Sequence, residues 1–205
     1  MLRKLPIIGV FGSGDPLDGE RAELAKRVGA MIAGLGAHLL TGSGYGVMMA
    51  AAEGFVAVAD RPGFSIGVVP CAPGGRLDQP NRRPGGEPYP NPFVEIAVFT
   101  PLPPRVENWR SAPARNHINV FTADAIVALP GGPGTSNELD MAVEYRNERD
   151  RPRDERRTVL VGPADAFSAE HHALFVHATE VAEAERRLRQ VLASRGLPVA
   201  ERIAS

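Results

Sequence analysis

A chain of 205 residues, 43% of them hydrophobic, suits one α/β domain with a sizeable core. Its 23 Lys and Arg nearly cancel its 24 Asp and Glu, and a net charge of −1 gives no general electrostatic drive toward DNA, RNA or an acidic membrane, so a small partner is expected. The single cysteine, Cys71, excludes an intrachain disulfide framework, fits a reducing compartment and, with no catalytic signature around it, reads as a bystander.

Met1-Leu2-Arg3-Lys4 followed by apolar Leu5 to Phe11 imitates the start of a signal peptide. The apolar run is short, interrupted by Gly9 and lacks a small-residue cleavage site, so a first buried strand over Leu5 to Val10 is the better reading. No run reaches transmembrane length, and a cytoplasmic location is expected. The strand ends in Phe11-Gly12-Ser13-Gly14-Asp15-Pro16, a turn where Gly12, Ser13 and Gly14 can bring backbone amides to a ligand. Leu24, Val28, Met31, Ile32 and Leu35 then share one helical face, with Gly34 and Gly36 near its end. Ala37 to Leu40 gives a second strand and Thr41-Gly42-Ser43-Gly44-Tyr45-Gly46 a second glycine-rich turn, adding Gly42, Gly44 and Gly46 as ligand-contact candidates. The alanines of the helix from Val47 to Ala52 predict close packing against the sheet or the glycine loop, and Phe64 to Val69 completes a βαβαβ unit.

Cys71 to Pro92 breaks the pattern, with ten of 22 residues Pro or Gly and no helical or strand period. Such a loop is either a functional lid or disordered, and its Arg76, Arg82 and Arg83 either meet a phosphate or carry solvated charge. Phe93 to Phe99 returns to strand-like alternation, and a proline cluster at Pro101, Pro103 and Pro104 leads to Trp109 and Arg110. A helix is expected to begin near Ser111 to Pro113, placing Arg115 and Asn116 in its first turn and Ile118 and Phe121 toward the core. Next come a strand over Ala125 to Leu129, the turn Pro130 to Glu138 and a helix from Ser136 to about Arg149. Arg146 to Arg157, with six arginines against four acids, reads as a solvated helix end and linker. Thr158 to Val161 and Leu174 to His177 are the last strands, and Val181 to Leu192 a surface helix. His171, His172 and His177 match no zinc spacing, and no metal is expected. Seven strands alternating with helices predict a doubly wound, mostly parallel α/β sheet in a single domain.

In open sheets of this kind ligands sit beyond the carboxyl ends of the strands, where the strand order reverses. The turns after strands one and two and the Pro130 turn lie at such ends. Three glycines and two prolines within Pro130 to Gly134 exceed what turning alone requires. Glycine allows close backbone approach, and the amides and positive dipole end of the next helix, Ser136 among them, favour phosphate. Arg115 and Glu138, 23 residues apart, are an opposed charged pair that falls there. A carboxylate beside a bound ribose phosphate suits glycosidic-bond cleavage, because it stabilises oxocarbenium charge or orients water. The alternative is a capping box, with Thr135 capping the helix and Glu138 reaching back to the Thr135 amide.

Ala114-Arg115-Asn116, Ala123-Asp124-Ala125-Ile126-Val127-Ala128-Leu129 and the Pro130 to Glu138 loop, of the form PGGxGTxxE, resemble the LOG (Lonely Guy) proteins, often mislabelled lysine decarboxylases. Thr41 to Met48 is similar to that family's earlier glycine-rich turn, with Ser43 in place of a glycine. The resemblance implies a Rossmann-like homodimer that binds nucleotides. In active members a nucleoside 5′-monophosphate is split into base and ribose 5-phosphate without a metal or redox cofactor. By position, Gly131, Gly132, Gly134 and Thr135 would bind phosphate, Asn116 would join them in binding the nucleotide, and Arg115 and Glu138 would be catalytic. Asn116 stands where the family's lysine is expected, Asn137 where many members have glutamate, and Ile118 replaces a second basic residue. The Arg-Asn form is similar to relatives that include molybdenum cofactor carrier proteins, which bind a phosphorylated pterin without cleaving it. The sequence thus leaves three readings: a phosphoribohydrolase, a non-catalytic carrier or sensor, or a scaffold whose glycine loop is only a turn.

Overall fold

The computed structural model describes residues 4–72, 86–145 and 156–200. The central part of the proline- and glycine-rich stretch, with Arg76, Arg82 and Arg83, and most of the arginine-rich run lie outside the described residues. The elements run β1 (Ile7–Phe11), α1 (Gly19–Gly34), β2 (His38–Thr41), α2 (Val47–Val56), β3 (Ser65–Val69), β4 (Ile96–Phe99), α3 (Arg115–Thr122), β5 (Ala125–Ala128), α4 (Pro133–Tyr145), β6 (Thr158–Val161), α5 (Ala169–Leu174), β7 (Val176–Ala178) and α6 (Val181–Ser194). Among the described residues, all seven strands join one parallel sheet in the order β4-β3-β2-β1-β5-β6-β7. The order reverses between β1 and β5. No described helix is long and apolar enough to cross a membrane.

Alternation along the strands divides the core into two layers. Ile8 and Val10 of β1 and Val127 of β5 pack with α1, α2 and α6, whereas Phe11, Ile126 and Ala128 pack with Val120 of α3 and Leu139, Met141 and Ala142 of α4. Right-handed crossovers place helices on opposite faces once the chain changes its direction of travel across the sheet, and this puts α3 and α4 together beneath the reversal point.

The alanine-rich helix packs closely, as its composition predicts. Its partner is α1 as well as the sheet. A Cβ on Gly29 would lie 1.9 Å from the Ala51 carbonyl oxygen, and one on Gly54 would lie 2.1 Å from that of Lys26, so the two backbones meet through bare glycines.

Three local expectations are corrected. Helix α3 begins at Arg115, after an extended Ala114 whose amide donates to His117 Nδ1 at 3.0 Å. Phe121 points outward, 58% exposed, because that face of α3 ends in an aromatic surface cluster with Tyr145. Helix α4 starts at Pro133, so Thr135 and Glu138 belong to its first turns and Thr135 is no N-cap. Proline suits a first helical position, where its missing amide and fixed φ cost nothing. One element went unread, α5, whose six residues are capped by the Ser168 hydroxyl accepting from the His171 amide at 3.2 Å.

The α1–α2 contact gives a direct prediction. Gly29→Ala forces two helix backbones apart and lowers unfolding stability by about 1–3 kcal/mol. Urea titration checks this, and a change below about 0.5 kcal/mol, the scale of an ordinary surface substitution, contradicts it.

Candidate functional site

The carboxyl ends of β1 and β5, where the strand order reverses, open onto a cavity of about 300 Å³. The turn after β1 contributes Gly12, Ser13, Gly14 and Asp15, and α2 contributes Met48. Tyr89, Pro104 and Arg105 come from the loops flanking β4, and Arg115 and Asn116 from the start of α3. The turn after β5 and the start of α4 supply Gly132, Pro133, Gly134, Thr135 and Glu138.

Three glycine-rich turns support this cavity in different ways. The first and the Pro130 turn face it and are joined by the Ser13 amide donating to the Pro130 carbonyl at 3.3 Å. A Cβ on Gly131 would lie 2.1 Å from Thr135 Oγ1 and 2.9 Å from the Ser13 amide, so this glycine lets the two turns and the helix start converge. Gly132 and Gly134 have open space where a Cβ would stand. The Thr135 and Ser136 amides fold back on the Gly132 carbonyl at 3.0 and 3.2 Å. Ser136 is therefore not a free amide of the helix start, contrary to expectation.

Gly42, Gly44, Gly46 and Gly131 do not line the cavity. The turn after β2 serves it from behind. A Cβ on Gly42 would lie 1.5 Å from Arg115 Nη1, so only glycine leaves room for the guanidinium. Gly44 accommodates Met48 in the same manner, and Gly46 is the N-cap of α2. Ser43, standing for the resemblance's glycine, takes a left-handed φ of 59° and is anchored by its hydroxyl donating to the Val68 carbonyl at 3.1 Å.

Arg115 is 6% exposed, and its buried Nε and Nη1 have no hydrogen-bond partner among the described residues. A buried guanidinium without acceptors is costly, and an anion in the cavity would satisfy it. Burial pushes its pKa down from the usual arginine value, while Glu138 and Tyr89 oppose that shift. Glu138, 8% exposed, accepts at Oε1 from Asn119 Nδ2 at 3.2 Å. It does not cap α4. Burial raises its pKa to about 7, against the lowering effects of Arg115 and the Asn119 bond. Asn116 lines the cavity and is 5% exposed.

Asn119, Asp15, Met48, Tyr89 and Arg105 escaped the sequence reading. Asn119 lies one helical turn beyond Arg115, a spacing that puts both on one face and was available as a signal. Tyr89 sits in a stretch with no period, where no pattern could have singled it out. The histidines turn out to be structural: His171 meets Asp140 Oδ1 at 3.1 Å, and His177 meets the Gly162 carbonyl at 2.8 Å. Among the described residues no group of three or more His, Cys, Asp or Glu side chains is arranged to hold a metal.

Comparison with known proteins adds that residues 5–148 match the SLOG cluster4 family model. The chain belongs to the SLOG cluster4 family. The match spans all three glycine-rich turns and both Arg115 and Glu138. An uncharacterized protein of Archaeoglobus fulgidus is 31% identical over 141 residues, covering 69% of this SLOG chain and 76% of that one. Among solved structures, the molybdenum cofactor carrier protein of Chlamydomonas reinhardtii is 29% identical, with a TM-score of 0.65 over 93% of this chain and 99% of that one. The molybdenum cofactor binding protein of Rippkaea orientalis shares the fold at 24% identity, with a TM-score of 0.66 over 92% of this chain and 98% of that one. The SLOG architecture and the likeness to the carrier branch read from Arg115-Asn116 and the PGGxGTxxE loop are thus in place.

The buried carboxyl makes stability pH-dependent. The Glu138 pKa is raised on folding, so the folded state holds its proton more tightly, and this group's contribution to stability falls as pH rises from about 4.5 to about 7. Glu138→Gln removes that slope, on the order of 2 kcal/mol across the window. Denaturant unfolding at a series of pH values checks it; parallel profiles for the two proteins contradict it.

Proposed function

We propose that this protein binds a small phosphorylated ligand, a nucleotide or a phosphorylated pterin, as a carrier or sensor. The observation that carries the reading is Arg115, buried at the cavity with Nε and Nη1 unsatisfied, next to the open Gly132-Pro133-Gly134 turn at the start of α4. An anion there would accept charge-assisted hydrogen bonds from the guanidinium and contacts from backbone amides near the positive end of a helix. Tyr89, Met48 and Pro104 offer apolar surface to a ring, and a volume of about 300 Å³ suits a ligand of mononucleotide size. Asn116 is a neutral donor where a phosphoribohydrolase of the resembled family has lysine. The likeness of nearly the whole chain to a molybdenum cofactor carrier protein supports the same choice. The homodimer implied by the resemblance belongs to this proposal and is checked by light scattering.

A second reading rests on Glu138. A carboxyl with a pKa of about 7 inside a phosphate cavity can give or take a proton at neutral pH, as cleavage of a nucleoside 5′-monophosphate requires. The two readings separate cleanly. Titration of the pure protein with AMP and with a pterin phosphate should give saturable binding. Arg115→Leu should weaken it about ten- to a hundredfold, the loss of one or two charge-assisted hydrogen bonds. Undiminished binding by that variant removes the reading. Free base released from AMP by the wild type but not by Glu138→Ala would establish the hydrolase instead.

A further inference from the structure

The cavity holds an acid where it would hold an anion. Thr135 and Glu138 are one turn apart on α4 and line the same space as Arg115, Gly132 and Gly134. Glu138 is fixed in place: Asn119, fully buried, donates to Oε1, and Oε2 accepts from no described residue and is the oxygen left to the cavity. A doubly charged anion bound beside Arg115 therefore meets one buried positive charge and one carboxyl. With the carboxyl ionised, the site carries a net charge of −2; with it protonated, −1. With Arg115 and Glu138 both buried the second arrangement is favoured, and a neutral Oε2–H can also donate to the anion where Oε2⁻ repels it.

We propose that loading of an anionic ligand takes up one proton from solvent onto Glu138 Oε2, so that the ligand is held tightly by the protonated site and released as the carboxyl ionises. The proposal rests on the anion-binding reading of the cavity. Among the described residues, the other ionisable groups that share the space are Arg115 on α3, Arg105 and Tyr89 from the loops flanking β4, and Asp15 from the turn after β1. On α4 itself, Asp140 is engaged by His171. Arg105 and Asp15 are exposed at the cavity mouth. Among the described residues, Glu138 is the one carboxyl held inside. Asn119 acts here as a positioning residue: by occupying Oε1 it selects the oxygen that receives the proton.

Sulfate is the suitable probe, because its charge does not change between pH 6 and pH 9. Calorimetric titration of the full chain with sulfate, repeated at pH 7.5 in buffers of different ionisation enthalpy, counts protons taken up on binding. The expected result is uptake of a sizeable fraction of one proton, with affinity falling by up to tenfold per pH unit above pH 7. Glu138→Gln should bind sulfate with no proton uptake and an affinity that is flat with pH. Asn119→Leu, which frees Oε1, should move the midpoint of the wild-type pH profile upward while uptake persists. Sulfate binding without proton uptake, or uptake that survives in Glu138→Gln, overturns the proposal and leaves anion binding standing. Failure of sulfate and AMP alike to bind at pH 6 overturns the anion-binding reading itself.

Discussion

Burying the Arg115 guanidinium costs free energy that a nearby countercharge can offset, and much of the architecture around the β1–β5 crevice follows from that constraint. Gly42 has to lack a side chain for the guanidinium to fit. Glu138 has to stand within its field, although burial then raises the Glu138 pKa. Nε and Nη1 nevertheless keep no partner among the described residues, so the charge is only partly compensated by the protein itself. A cavity that holds an under-compensated positive charge, backed by a helix start and open glycines, is preorganised for an anion.

The glycine-rich turns divide this work. The turns after β1 and β5 present backbone to the cavity, and Gly131 keeps them close to each other and to Thr135. The turn after β2 presents nothing to it and supplies room for side chains that do: Gly42 for Arg115 and Gly44 for Met48. The same requirement for bare backbone recurs where α1 meets α2 through Gly29 and Gly54, which fixes α2 and so the position of Met48. Stability and site geometry thus depend on one repeated device.

Much of this was legible in the sequence. All seven strands were: the buried ones read as short apolar runs bounded by turns, the exposed edge strand β4 read from its alternation, and the succession of strands and helices dictates a doubly wound sheet. Arg115, Asn116 and the Gly132 to Glu138 run were legible because they form compact motifs at a strand end. What failed did so for identifiable reasons. Gly42, Gly44 and Gly46 were read as ligand contacts because a sequence cannot distinguish a glycine that faces a ligand from one that makes way for a neighbouring side chain. The capping-box reading of Thr135 and Glu138 failed because Pro133 starts the helix two residues earlier and burial turns Glu138 toward Asn119. Phe121 was placed in the core by helical period alone, but that face packs into an outward aromatic cluster. Tyr89 and Arg105 reach the cavity from loops without period, where only tertiary structure assigns a place.

The claim that Arg115 and the Gly132-Pro133-Gly134 turn form an anion site is tested most directly by diffraction from crystals soaked in sulfate and, separately, in AMP. The account predicts an anion, the sulfate or the phosphate of AMP, within hydrogen-bond distance of the Arg115 guanidinium and the Gly134 amide, with Glu138 Oε2 facing it. Strong anion density elsewhere on the molecule, with this cavity holding only water and Arg115 satisfied by protein oxygens, would contradict it.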